Sequence, residues 1–85
     1  PRGIQFAFRA EDRPKAVMEL TDSIRKYGGR VVSLYSTCEG APEGYRNVFI
    51  RAYKVHREQI DWLKEDLEKK ATDHRFSSGI VHNMN

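Results

Sequence analysis

The alternation of hydrophobic and polar residues along the chain predicts strands and helices in turn. Residues 4–9 alternate strictly, which is the pattern of a strand with one buried face. Hydrophobic residues then recur at every third or fourth position over residues 13–27, as in an amphipathic helix. The pair Gly28-Gly29 follows directly, and glycine is the residue that most often ends a helix.

The remainder of the chain predicts two further strands, a second helix and a final strand. Residues 30–36 are rich in β-branched side chains, and residues 38–44 contain two Gly and one Pro, which is typical of a hairpin loop. Residues 45–53 alternate again, and we expect them to form the third strand. A narrow hydrophobic stripe predicts a helix over about residues 56–70, and residues 76–81 are the candidate for a fourth strand.

The predicted order strand, helix, strand, strand, helix, strand corresponds to an α+β fold. This is the ferredoxin-like βαββαβ arrangement, a four-stranded antiparallel sheet with two helices on one face. One face of the sheet and one stripe of each helix then supply the core, which we expect to contain Ile4, Phe6, Phe8, Val17, Leu20, Ile24, Val48, Ile50, Ile60, Leu63 and Leu67.

Composition is compatible with a single small domain over residues 1–85. Hydrophobic residues make up 39% and charged residues 32% of the 85 residues. A domain of this size buries a modest share of its surface, so a partner surface would stabilise it. The chain begins with Pro1 and has no segment typical of a signal peptide or a membrane span. We therefore expect a segment of a longer cytoplasmic protein.

The chemistry-bearing residues do not predict catalysis. The three His residues are scattered, and Cys38 has no metal-ligand neighbours at suitable spacing, so we expect no metal and no cofactor. A single Cys excludes an internal disulfide. The formal charge of +3 comes from Lys and Arg interleaved with Glu and Asp, whereas nucleic-acid binders usually gather basic residues into a patch. We therefore expect that this chain is not an enzyme.

The segment between the first strand and the first helix is the candidate for a binding site. Asp12 is predicted to cap the helix, and Pro14 is predicted to lie in its first turn. The N–H groups at the start of a helix have no intrahelical partner and can bind a small anion. A purely structural role for such a capped turn is the alternative.

This segment and the glycine turn resemble those of the ACT domain, a small regulatory ligand-binding module. Residues 12–17 follow the family's short D-R-P-G-x-L pattern, and the run Tyr27-Gly28-Gly29-Arg30-Val31-Val32 leads into the second strand. Within the family the chain is most similar to the ACT segment that follows paired cystathionine-synthase-type (CBS) domains in bacterial regulatory proteins of the acetoin-utilisation type.

The resemblance implies an effector pocket that a partner domain shares through its second strand. The residues at the matching positions are Glu11, Asp12, Arg13, Pro14 and Lys15, together with Arg30 and Ser33. Lys15 replaces the family's Gly, and Arg30 replaces its usual Asn. These cations favour a ligand that is more anionic than an amino acid; alternatively they fill the pocket and leave a role in assembly alone.

The second strand is also predicted to mediate dimerisation. It lies at an edge of the expected sheet, and residues 31–36 contain no Lys, Glu or Pro that would deter pairing. We expect a homodimer whose sheet continues across a two-fold axis through Val31, Val32, Leu34 and Tyr35, as the ACT resemblance also implies. The alternative is a monomer whose edge is covered by the rest of the parent chain.

The third strand supports a second candidate function. Residues 44–51 resemble the aromatic RNA-binding motif on the third strand of an RNA-recognition domain, and Tyr45, Phe49 and Tyr53 beside Arg51 could stack on bases. The first strand, however, offers only Gln5, Ala7 and Arg9 where a second aromatic residue is needed. Single-stranded RNA binding is therefore the alternative to effector binding, and an exposed aromatic face can equally cover another protein.

Overall fold

A computed structural model of the chain describes residues 3–71 and 80–84, with side chains for residues 3–70. The elements follow the order β1 (Gly3–Glu11), α1 (Ala16–Lys26), β2 (Arg30–Thr37), β3 (Tyr45–Tyr53), α2 (Ile60–Ala71) and β4 (Ile80–Met84). A single turn of 3₁₀-helix at Arg57–Gln59 precedes α2, so the predicted second helix begins with this tighter turn.

The strands form one antiparallel sheet in the order β2-β3-β1-β4. β1 and β3 pair along their whole length, from Gly3 opposite Tyr53 to Glu11 opposite Tyr45. The predicted α+β class is confirmed, and the predicted bounds of the third strand agree with β3. Of the segment predicted as a fourth strand, residues 80–81 lie in β4, and residues 76–79 lie outside the described residues.

The core lies between one face of the sheet and the two helices. Alternate residues of β1 and β3 point into it, and Leu20, Ile24, Leu63 and Leu67 of the helices are fully buried. Every predicted core residue except Val17 and Ile60 is buried, and those two pack against the core while partly exposed. The period of two along each strand and the helical stripe therefore identified the buried face correctly.

The glycine pair ends α1 as predicted. Gly28 has a φ of +83°, which a residue with a side chain rarely adopts, and the N–H of Gly29 donates to the carbonyl of Ile24 at 2.9 Å. A Cβ at Gly29 would lie 2.7 Å from a methyl carbon of Ile24 and 2.8 Å from one of Val55. Gly29 therefore lets the chain turn close against the core before β2 begins.

The start of α1 differs from the prediction. The helix begins at Ala16, so Pro14 precedes it, and the N-cap position is Lys15 and not Asp12. The backbone N–H of Asp12 instead donates to the carbonyl of Gly44 at 2.9 Å, which holds this residue beside the sheet. Arg13 precedes a proline and is therefore disfavoured in the helical region, which delays the helix.

Lys15 adopts a left-handed backbone conformation, with φ at 71°. This conformation costs about 1–2 kcal/mol for a residue with a side chain and nothing comparable for glycine. We expect Lys15→Gly to raise the free energy of unfolding by about 0.5–1 kcal/mol in urea denaturation, since the glycine's extra freedom in the unfolded chain offsets part of the gain. Lys64→Gly, within α2, should lower it by about 1 kcal/mol. If both changes lowered the free energy of unfolding equally, the backbone strain assigned to Lys15 would be contradicted.

Candidate functional site

Arg13 connects the end of β1 to the first turn of α1. Its Nη2 donates to Oε1 of Glu19 at 2.7 Å and its Nη1 to Oε2 at 3.3 Å, which is a bidentate pair. Its Nε donates to Oε1 of Glu11 at 3.1 Å. Arg13 is thus engaged by two carboxylates of its own chain, and its positive charge is locally compensated.

The hydrogen bonds from Arg13 lower the pKa of the Glu19 carboxyl, and the two carboxylates raise the pKa of the Arg13 guanidinium. Both groups are therefore charged at neutral pH. Lys15 is the remaining cation of this loop, and no carboxylate among the described residues lies within ion-pair distance of it. The positive charge that an anion would meet here is carried by Lys15, with the N-terminus of α1 beside it.

Asp12 connects the loop between β1 and α1 to the β2–β3 hairpin through its side chain. Its Oδ1 accepts a hydrogen bond from Nη1 of Arg46 at 2.8 Å, and its Oδ2 accepts one from Sγ of Cys38 at 3.6 Å. Arg46 also donates through Nε to Oγ of Ser36 at 2.6 Å. The sequence did not predict that Arg46 and Cys38 contact Asp12. Arg46 lies opposite Ala10 in the strand register, and knowledge of that register would have placed it near Asp12.

The predicted site residues fall into two groups at opposite ends of the sheet. The segment from Glu11 to Lys15 adjoins the Tyr45 end of β3, whereas Arg30 pairs with Tyr53 at the other end. β3 has nine residues, and its ends are therefore about 26 Å apart at ~3.3 Å per residue. One chain does not bring Arg30 to the Glu11–Lys15 segment, so a site containing both requires a second chain.

β2 is an edge strand of the sheet, as predicted. Val32, Leu34 and Tyr35 are exposed by 50%, 42% and 63%, while Val31 packs partly against the core. The pairing with β3 shifts register between Val31 and Ser33, which is a β-bulge at Val32. The regular part of the edge therefore runs from Ser33 to Thr37.

The outer face of the sheet carries one stacked aromatic pair. The rings of Tyr35 and Phe49 lie 6.1 Å apart at an angle of 25°. Tyr53 covers Gly3, because a Cβ there would lie 2.6 Å from Cε1 of the tyrosine ring. Tyr35, which the RNA hypothesis did not include, is thus the neighbour of Phe49, and Tyr45 lies at the far end of β3. RNA binding through this face stays a prediction.

The described part of the chain contains neither a metal-binding cluster nor a membrane-spanning helix. No group of three or more His, Cys, Asp or Glu residues there could hold a metal ion. No helix formed by those residues is both long and apolar enough to cross a membrane.

The Arg13–Glu19 pair predicts a pH-dependent stability. Because the folded state lowers the pKa of Glu19, the pair contributes stability above the ordinary value of 4.5 and loses it as the pH falls through the folded-state pKa. We expect Glu19→Gln to lower the Tm more at pH 7 than at about pH 3, because a smaller fraction of the Glu19 carboxyl is ionised at the lower pH. Glu43→Gln, for which the described residues offer no ion pair, is the control. An equal loss at both pH values would contradict this role of Arg13.

Neither a protein-family model nor a curated protein matches this chain. Solved structures do. The ACT domain of GTP pyrophosphokinase from Chlorobium tepidum is 12% identical with a TM-score of 0.59, and the match covers 96% of each chain. An ACT domain protein from Streptococcus pneumoniae is 11% identical with a TM-score of 0.59, over 98% of this chain and 86% of that one.

The regulatory subunit of aspartate kinase from Thermus thermophilus is also similar. It is 13% identical with a TM-score of 0.63, over 94% of this chain and 50% of that one. The chain spans only 39%, 44% and 28% of three other matched structures, which are therefore longer proteins. These likenesses show the fold, and the fold of this chain is ACT-like.

Proposed function

We propose that this chain is a regulatory domain that binds a small anionic effector and dimerises through β2 to control an attached module. The observation that carries the proposal is the separation of Arg30 from the Glu11–Lys15 segment, together with the edge position of β2. When two β2 strands pair antiparallel, the sheet of the partner copy runs in the opposite direction to that of the first copy. This pairing sets Arg30 of one copy towards the Glu11–Lys15 segment of the other.

The contact between Asp12 and Cys38 supports this arrangement. Cys38 follows directly on Thr37, the last residue of β2, and its Sγ lies 3.6 Å from the Asp12 carboxylate. The Glu11–Lys15 segment therefore already reaches the end of its own β2. A second β2 paired antiparallel with the first would bring its Arg30 to that end, and the two copies would form two equivalent sites.

The charges favour an anion as the effector. Arg13 is compensated by Glu11 and Glu19, whereas neither Lys15 nor Arg30 has an ion-pair partner among the described residues. A carboxylate or phosphate group between Lys15 of one copy and Arg30 of the other would satisfy both cations. Amino-acid carboxylates and other anionic metabolites are the effectors we propose.

The attached module is proposed from the lengths of the similar proteins and from the sequence resemblance. Several matched structures are more than twice as long as this chain, so the fold also occurs as one part of a larger chain. The resemblance to ACT segments that follow paired CBS domains makes such a pair the module we propose. The domain acts by binding an effector and not by catalysis.

Effector binding predicts a thermal shift that depends on Lys15. A panel of amino acids, dicarboxylates and phosphorylated metabolites should contain a compound that raises the Tm. At 100 times its Kd, such a compound stabilises the folded state by about 2.7 kcal/mol. Lys15→Gly removes the cation while keeping the backbone conformation, and we expect it to abolish the shift. Lys69→Gln on α2 should leave the shift unchanged. If no compound in the panel raised the Tm, effector binding would be contradicted, and assembly through β2 would be the function that remains.

Dimerisation through β2 predicts a monomer after a change at the edge. Ser33→Pro removes an N–H from the middle of the strand, and Leu34→Lys places a charge on the exposed edge. We expect light scattering to give a dimer mass for the unmodified chain and a monomer mass for both variants, with the circular dichroism of Leu34→Lys unchanged. Trp62→Lys, at an exposed position on α2, should remain dimeric. A monomer mass for the unmodified chain at high concentration would refute the interface.

A further inference from the structure

A depression in the surface lies at the opposite end of β2 from the Glu11–Lys15 segment. It has a volume of about 400 Å³, and its lining residues are Arg30, Val31, Val32, Tyr53 and Lys54. Pockets that bind small molecules have volumes of about 300–1,000 Å³. Two adjacent strands of a single chain form this depression, and its residues Arg30, Val31 and Val32 lie on the edge strand of the proposed dimer.

Two irregularities of the backbone shape the depression. The β-bulge at Val32 shifts the register of β2 against β3. Lys54, the residue after β3, has a φ of 70° and is one of two non-glycine residues with positive φ in the described chain. A left-handed lysine is costly, and such conformations are often retained where they position a functional group. Arg30 pairs with Tyr53, so the two irregularities are close neighbours.

The lining combines positive charge with an apolar wall. Arg30 and Lys54 supply two cations, and no described carboxylate lies within ion-pair distance of either. Val32 is 50% exposed although it is fully apolar, and Val31 and Tyr53 also line the depression. An inorganic anion alone would leave this wall in contact with water, whereas an uncharged hydrocarbon would leave both cations without a partner.

We propose that this depression binds a carboxylate that carries a short hydrocarbon chain. Arg30 and Lys54 hold the carboxylate, since a guanidinium can donate two parallel hydrogen bonds to it. Val31, Val32 and Tyr53 contact the hydrocarbon chain and remove it from water. The site shares Arg30 with the proposed effector site. Within one chain Lys54 and Lys15 lie at opposite ends of the sheet, so in a monomer the two lysines distinguish the sites.

The test uses the 85-residue chain and four probes: acetate, hexanoate, hexanol and inorganic phosphate. Binding is followed by NMR titration, and we expect the resonances of Val31, Val32, Tyr53 and Lys54 to shift. Hexanoate should bind most tightly, because acetate and phosphate lack the hydrocarbon chain and hexanol lacks the charge. Phosphate binding as tight as that of hexanoate, or shifts spread evenly over the surface, would overturn the proposal.

Three variants separate this site from the proposed effector site. Lys54→Gly removes the cation and accommodates the positive φ, so we expect hexanoate affinity to fall about fivefold, as for an exposed ion pair, without loss of Tm. Val32→Ser should reduce the preference for hexanoate over acetate. In the Leu34→Lys monomer, where no partner copy brings its own Lys15 near the depression, Lys15→Gly should leave hexanoate binding unchanged. If Lys15→Gly abolished that binding and Lys54→Gly did not, the depression would be refuted as a site while the proposed function would stand.

Discussion

The pairing of β1 with β3 is the constraint on which the rest of the structure depends. Phe6 and Ile50 lie opposite each other in this pair and are both fully buried. A shift of one residue in either strand would turn its polar residues, such as Gln5 and Arg9 of β1, towards the helices, so the register is strongly specified. It also determines which loops share an end of the sheet, and therefore where each candidate site lies.

Each end of this central pair carries a lysine in a left-handed conformation. Lys15 lies four residues beyond the end of β1, and Lys54 follows β3 directly, with φ values of 71° and 70°. The chain leaves the sheet at both places through a turn that glycine would adopt without strain. At the first place Lys15 therefore adds a positive charge where the backbone has a conformation that favours glycine.

The elements of the fold could be predicted because their signals are periodic and local. The bounds of β3 followed from alternation, and most of the core followed from alternation in the strands and the hydrophobic stripe of each helix, whereas the start of α1 was not predicted correctly. A capping residue is inferred from its immediate neighbours, but the Asp12 carboxylate is held by Cys38 and Arg46, which are 26 and 34 residues away. The geometry of the candidate site depends on features of the same kind, which local sequence does not reveal. Neither the φ of Lys54 nor the bulge at Val32 has a signature in the sequence.

The distribution of charge links the two ends of the sheet. Asp12 and Arg13 are each engaged by partners in their own chain, so Lys15, Arg30 and Lys54 carry the positive charge that remains for an anion. In the proposed dimer, antiparallel pairing about β2 sets the Arg30 and Lys54 end of one copy beside the Lys15 end of the other. These like charges repel one another until an anion lies between them. Ligand binding and dimerisation would then favour each other, as the proposed function requires.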